Sequence, residues 1–428
     1  DLNSGASYYV INYDDVSGLT DTVTSGGEYA NRTLYIHRGA TQSIRSERFQ
    51  RLIIAIKELE KIMQSQFLDI EFALGEDLTP YLLQVRAITT QPNWNRAVAR
   101  RIDTALSGIQ SFIKTRLLPM TGVYGSTTVL GQMPDWNPAE MIGRAPRALA
   151  YSLYKTLITD HAWRTARAKM GYSIPVGQPL MISLAGQPFI DTRLSFHSYL
   201  PKDIPSDIGH NLVNTWVQRL KDHPELHDKI EFDVAITTYS FDIDEKLNVL
   251  VGDTLTADEK FTFKNLLLKQ TLELIKGSKD GGIESALLKV ELLTQKQSSY
   301  NLSKSPDITS LFEMINDCIS MGTIPFSILA RHGFIAQTLL LSMEARGIIT
   351  MEDVLGIQSG IRTIASDLVD DMRLLQLGKI TRDEFMQQYG YLRPGTYDIR
   401  SSRYDKMESI GKGESKAEPE NDIESFVL

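Results

Sequence analysis

A chain of 428 residues, 42% hydrophobic and 23% charged, is long enough for two or three domains with real cores. Its formal net charge of −8, with no basic stripe interleaved with aromatics, argues against general nucleic-acid binding. Cys318 is the single cysteine, which excludes an intrachain disulfide and a Cys-based zinc site. No stretch resembles a signal peptide and no apolar run approaches membrane-spanning length, so a cytoplasmic location without membrane contact is expected.

In chain order, Tyr8–Tyr13 is a run of strong β-formers, followed by punctuation at Gly18, Ser25-Gly26-Gly27 and Gly39. Arg45–Gln66 is predicted helical, with Phe49, Leu52, Ile53, Ile56, Leu59, Met63 and Phe67 on one stripe. Asp69–Thr90 is predicted to form two strands around the breaker-rich turn Gly75–Pro80. Period-two alternation puts Ile70, Phe72, Leu74, Leu83 and Val85 on an apolar face. The other face carries Asp69, Glu71, Gln84 and Arg86. A carboxylate and an amide oxygen are hard ligands suited to Mg²⁺, and a guanidinium matches phosphate oxygens two at a time. The plainer alternative is an exposed hairpin with a Glu71–Arg86 surface ion pair.

The order Asp-Ile-Glu-Phe, a short gap, then Leu-Leu-Gln-Val-Arg-Ala-Ile-Thr resembles the end of the ATP-grasp domain in the phosphoenolpyruvate synthase / pyruvate phosphate dikinase family. That family closes the domain with an Asp-Ile-Glu-aromatic strand and a Gln-x-Arg-x-x-Thr strand. The resemblance implies that Glu71 and Gln84 hold Mg²⁺, and that Arg86 contacts the phosphates of ATP and is the catalytic side chain. Ala87 stands where the family usually has Pro, at a position that is not a ligand. Gly18–Gly26 loosely resembles a nucleotide loop of the family, with Thr20 and Asp21 in place of the usual Gly and Glu. The family's upstream ATP clamp and its phosphohistidine domain have no counterpart in the sequence, which implies a fragment or a truncated product.

Gln91–Asn95 reads as the exit from this domain. Ala97–Leu117 is weakly amphipathic, and Pro119–Ser126 is a glycine-containing loop. Asp135, Trp136, Asn137 and Glu140 belong either to an ordered loop pinned by Trp136 or to a substrate-facing loop. Residues 146–170 are predicted helical with Leu149, Leu153, Leu157 and Trp163 as the apolar set, and His161 as a structural residue. Leu180–Asp191 reads as a hairpin turning at Ala185-Gly186-Gln187. Asp191, Arg193 and His197 then form a polar constellation, in which Arg193 either binds an anionic substrate or anchors Asp191.

The remainder is predicted to be mostly helical. Thr256–Glu259 is a capping box for a helix to about Lys276, closed by Gly277. Ile283–Gln297 and Asp307–Met321 follow, the latter enclosing Cys318 as a buried thiol. A separate helix starts at Gly322-Thr-Ile-Pro325 and carries Arg331-His332, either a satisfied buried pair or an anion contact. Met351–Leu377 and Thr381–Tyr389 complete the set. Tyr389–Tyr404 resembles the Tyr-Gly-x-Arg … Asp-Ile-x-x-x-Arg-aromatic passage of rifampin-phosphotransferase-like enzymes, which closes the helical middle domain. It places Arg393, Arg400 and Arg403 where a phosphorylated group would dock. Residues 409–424 read as a disordered tail.

The expected fold is α+β: a partial ATP-grasp lobe, antiparallel sheet with helix, at 1–92, then a larger mostly α-helical acceptor domain at 93–405, and a flexible tail at 406–428. The resemblance implies an ATP- and Mg²⁺-dependent phosphotransferase acting on a small-molecule acceptor, pyruvate or an alcohol, with Arg193, His197 and Arg393 as candidate substrate residues. The isolated chain is expected to be inactive. The alternative is a non-catalytic scaffold that binds a small molecule or partner.

Overall fold

The computed structural model describes residues 8–14, 32–39, 44–88, 96–277, 280–299, 308–361, 363–393 and 402–407. The chain is α+β, with small antiparallel sheets and a majority of helix. It divides into two compact units, 1–113 and 114–428. The division falls inside helix α2 (Arg96–Arg116) rather than at the expected 92/93.

In the first unit, β1 (Tyr8–Tyr13) pairs antiparallel with β2 (Arg32–His37). Helix α1 (Glu47–Ile62) lies on this hairpin because Phe49, Leu52 and Ile53 meet Tyr9, Ile11 and Ile36 in one core, with Ile56 and Phe72 at its edge. The stripe is shorter than its sequence period suggests, since the helix ends at Ile62 and both Met63 and Phe67 are exposed. Glu60 ties helix to hairpin, accepting from Tyr9 Oη at 3.1 Å and from Arg38 Nη2 at 2.6 Å. Strands β3 (Leu68–Leu74) and β4 (Pro80–Ala87) form a second antiparallel hairpin. In its turn Asp77 accepts from the Thr79 amide at 3.0 Å and hydroxyl at 2.6 Å.

The second unit is built round a small three-stranded sheet in the order β5-β7-β6 (Leu130–Gly131, Gln187–Asp191, Met181–Leu184). The β6–β7 turn falls at Ala185-Gly186 as expected, both with positive φ of 50° and 84°, the conformation of a two-residue hairpin turn. Helices α3 (Pro138–Ile142), α4 (Ala148–Tyr154), α5 (Ala162–Lys169) and α6 (Thr192–His197) surround the sheet in sequence. The largest core gathers round α7 (Ser206–Asp222), whose Leu212, Val213, Trp216 and Leu220 pack with Phe196, Tyr199, Ile236 and Leu247. Leu247 belongs to α8 (Ile243–Leu250) and Phe263, in the same core, to α9 (Ala257–Ile275). The Thr256–Glu259 capping box forms as expected, and Gly277, at φ 83°, follows the C-cap residue Lys276.

Helices α10 (Ile283–Ser299), α11 (Ile308–Asp317), α12 (Ile324–Ala345), α13 (Met351–Ser359), α14 (Ile364–Gln376) and α15 (Arg382–Tyr389) complete the unit. The expectations for the helix around Cys318 and for residues 146–170 are corrected. The helices assigned on either side of Gly322 are joined by a π-helical turn, Cys318–Thr323, into one helix spanning Thr309–Ala345. Pro325 has no N–H to give, and the wider π turn just before it accommodates that loss. By length and composition this helix could cross a membrane, contrary to the expectation that no such run exists. In the fold, however, its Ile324, Ile328 and Ile335 are buried against Ala162, Ala166, Met170 and Leu274. Cys318 is half-buried rather than buried.

The second correction concerns residues 146–170. Leu149 and Leu153 are exposed, and the buried set is Tyr154, Ala162, Trp163 and Ala166. A π-helical turn over Lys155–Thr159 adds a residue to the repeat and rotates the stripe away from the 3.6-residue phase.

Candidate functional site

The β3–β4 hairpin brings the expected polar set to one face. Asp69 stands directly opposite Arg86 and Glu71 opposite Gln84. Directly opposed residues in an antiparallel pair have Cβ atoms about 4.5–5.5 Å apart, so these four side chains are within reach of one another. Arg86 Nη2 donates to Glu71 Oε1 at 2.7 Å, and Arg86 Nε lies 3.7 Å from Asp69 Oδ2. All three charged side chains are open to water, 56% for Arg86, 61% for Asp69 and 43% for Glu71. Gln84 is exposed as well.

The opposite face differs from its expectation. The register shifts between Glu71 and Phe72, so Phe72 faces Leu82 and Leu83 is the extra residue. Such a bulge twists the strand and re-aims its side chains. Leu82 and Leu83 are consequently half or more exposed, while Phe72 still reaches the α1 core.

The polar face suits a metal–phosphate group in its donor set. Mg²⁺ characteristically takes one or two protein oxygens and completes its shell with water and substrate phosphate. Glu71 and Gln84, side by side on adjacent strands, would be those two ligands. Among the described residues no group of three or more His, Cys, Asp or Glu is positioned round a metal. The face holds two carboxylates and one guanidinium, a net negative balance.

The expected substrate residues belong to the second unit. Arg193 is completely buried, with Nη1 donating to Leu118 O at 2.8 Å and Nη2 to Arg116 O at 2.9 Å. Beside it Asp191, also fully buried, accepts from Arg116 Nε at 2.6 Å and Thr128 Oγ1 at 2.5 Å. Arg193 lies 3.8 Å from Asp191, whose hydrogen bonds come from Arg116 and Thr128, so the Arg193 guanidinium chiefly holds the backbone of Arg116 and Leu118. His197 is 3% exposed and held at both ring nitrogens, by the Tyr124 amide at 2.9 Å and Ser173 Oγ at 3.0 Å. Burial, with the nearby His210 adding to it, pushes its pKa down to about 4. Arg393 acts electrostatically on Asp405, whose carboxyl is held low chiefly by its bond to Arg403. Arg400, the Gly18–Gly26 loop and Gln91–Asn95 lie outside the described residues.

One constellation went unseen in the sequence. Asp135 and Glu231 alternate with Arg167 and Arg331 in a buried, charge-balanced quartet. Arg167 Nη2 donates to Asp135 Oδ1 at 2.6 Å and lies 3.9 Å from Glu231 Oε1, while Arg331 Nη1 donates to Glu231 Oε2 at 3.1 Å. Ser195 donates to Asp135 at 2.8 Å and Tyr199 to Glu231 at 2.8 Å. Both guanidinium groups lie over the Tyr199 ring, at 4.6 and 5.3 Å. Burial lowers the pKa of each arginine, but Asp135, Tyr199 and Glu231 at Arg167, and Tyr172, Glu231 and Tyr199 at Arg331, outweigh it and raise both. The Asp135 loop is therefore ordered, as one of the two sequence readings had it, with Trp136 packed in the β-sheet core and Asp135 itself in the left-handed region at φ 59°. His332 Nε2 donates to Gly281 O at 2.9 Å, so both side chains of Arg331-His332 are satisfied, with Arg331 buried and His332 half-buried.

No family model, no curated protein and no solved structure matches the chain.

Proposed function

We propose that the β3–β4 hairpin is the magnesium–phosphate part of an ATP site and that the protein serves ATP-dependent phosphotransfer to a small-molecule acceptor, pyruvate or an alcohol. The supporting observation is the register that sets Glu71 against Gln84 and Asp69 against Arg86 on one exposed face. The resemblance of the same residues to the phosphoenolpyruvate synthase family supplies the reaction class.

Glu71 and Gln84 would hold Mg²⁺, which would supply neutralisation of the phosphate charge. Arg86 contributes a fixed planar pair of donors to the phosphate oxygens. Its bond to Glu71 is readily exchanged for that role, because an exposed ion pair is worth only about 0–1 kcal/mol. The quartet of the second unit is a structural frame for the helical portion, which takes the acceptor in this reading.

Calorimetric titration with ATP tests the reading. Binding is expected with Mg²⁺ and is lost on chelation. Arg86→Ala is expected to weaken it at least tenfold with an unchanged circular-dichroism spectrum, and Glu71→Gln to remove the Mg²⁺ dependence. Equal heats with and without Mg²⁺ in the unaltered protein would overturn the assignment.

A further inference from the structure

In the loop Tyr124–Ser126, three consecutive backbone N–H groups donate to side chains instead of backbone carbonyls. The Tyr124 amide donates to His197 Nδ1 at 2.9 Å, the Gly125 amide to His210 Nδ1 at 3.1 Å and the Ser126 amide to Asn214 Oδ1 at 2.8 Å. The acceptors sit at the end of α6 and one turn apart on α7. The Tyr124 ring stacks on His197 at 4.3 Å and 14° and meets His210 edge-on at 5.1 Å and 67°. Two of the three bonds thus depend on an imidazole nitrogen with a free lone pair. Protonation gives an imidazolium two donors and no acceptor, so the amide then faces another N–H. We propose that Tyr124–Ser126 is a proton-operated latch, closed on neutral His197 and released from α6 when this ring is protonated.

The surroundings favour release over compensation. His197 faces the Tyr124 ring, Ser173 Oγ and His210, and no carboxylate among the described residues is bonded to it. Arg193, one turn earlier on α6, packs its Cγ and Cδ on Gly125 and adds a positive charge to the same helix. On α7, Asp207 precedes His210 by three residues and is the carboxylate placed nearest in sequence. Charge on His210 opposes protonation of His197. The latch also shapes a surface. Ser126 and Thr127 line a groove of about 550 Å³ with Asn214, Gln218, Asp222 and Thr254, and Ser126 Oγ is bonded to Asn214 at 2.9 Å. Opening the loop removes that wall.

Hydrogen exchange of the whole chain between pH 8 and 4.5, corrected for the intrinsic rate, tests the latch at the amides of 124–126 against those of Leu212–Trp216 in α7. Protection of the loop is expected to fall at least tenfold with acidification while α7 keeps its own. In His197→Asn, whose Oδ1 accepts without titrating, most of that fall is expected to vanish, and His197→Ala is expected to show the open loop already at pH 8. Unchanged loop protection across the range overturns the proposal, as does loss that runs in parallel with α7 or is the same in His197→Asn. His197→Gln repeats the comparison if His197→Asn does not fold.

Discussion

Arg86 donates to Glu71 at 2.7 Å with more than half of its side chain in water, whereas Arg167 donates to Asp135 at 2.6 Å with both partners less than a tenth exposed. Exposure decides what each bond does. Water and salt screen the first to almost nothing, so Arg86 changes partners at little cost. The second lacks that screening, and removing one member leaves a desolvated charge without its counter-ion. Arg167→Met is therefore expected to cost about 3–5 kcal/mol of stability, the range for breaking a buried pair. Asp135→Asn with Arg167→Met is expected to cost less than the sum of the two single changes. Urea unfolding followed by tryptophan fluorescence checks both. A loss below about 1 kcal/mol for Arg167→Met would show that Asp135 finds water or another partner.

The elements follow from local rules wherever one period persists, and depart from the sequence reading where it breaks. The β3–β4 hairpin was legible because alternation and turn residues act over neighbouring positions, so Glu71, Gln84 and Arg86 were placed on one face from the sequence. Leu83 was misplaced because its bulge reflects packing, not composition. The stripe of 146–170 failed across the π turn for the same reason. The quartet had no local signal at all: Arg167 is 32 positions from Asp135, and Arg331 is 100 from Glu231. Its members are ordinary charged residues until tertiary structure removes the water. Gly125 is an element-scale constraint of the same kind. At φ +89°, a Cβ there would lie 2.6 Å from Val213 Cγ1. Gly177, at φ +74°, has open space at its Cβ position. The left-handed backbone costs about 1–2 kcal/mol in both, and overpacking adds about 1–3 kcal/mol at Gly125 alone. Gly125→Ala is thus expected to destabilise by roughly 2–5 kcal/mol and Gly177→Ala by roughly 1–2 kcal/mol. Equal losses in thermal unfolding would mean that Val213 moves aside freely.

At the scale of the molecule, each unit has a core of its own, and the acid response belongs to the second, where His197 is buried as a neutral ring. Its Nδ1 accepts the Tyr124 amide, which leaves Nε2 to donate to Ser173, so the fold selects one tautomer and excludes the cation. Its pKa is about 4 in the fold against the ordinary 6.5 of an unfolded chain. Between these values the unfolded state binds more protons than the folded one, so stability increases with pH. Above pH 6.5 the contribution is complete; it diminishes as pH falls through 6.5 and is exhausted near 4. At 1.36 kcal/mol per unit, the span corresponds to about 3 kcal/mol. Glu231 acts in the opposite sense, since burial raises its carboxyl most, against the pull of Arg331 and Arg167. A comparison with His197→Asn removes that background, because Glu231 is present in both proteins. Three of the four tryptophans, Trp136, Trp163 and Trp216, report on the second unit. The stability difference between unaltered protein and variant, from urea unfolding read by tryptophan fluorescence, is expected to be constant from pH 8 to 7 and to shrink steadily toward pH 4.5. A difference independent of pH would mean that the ring is already able to take up its proton within the fold.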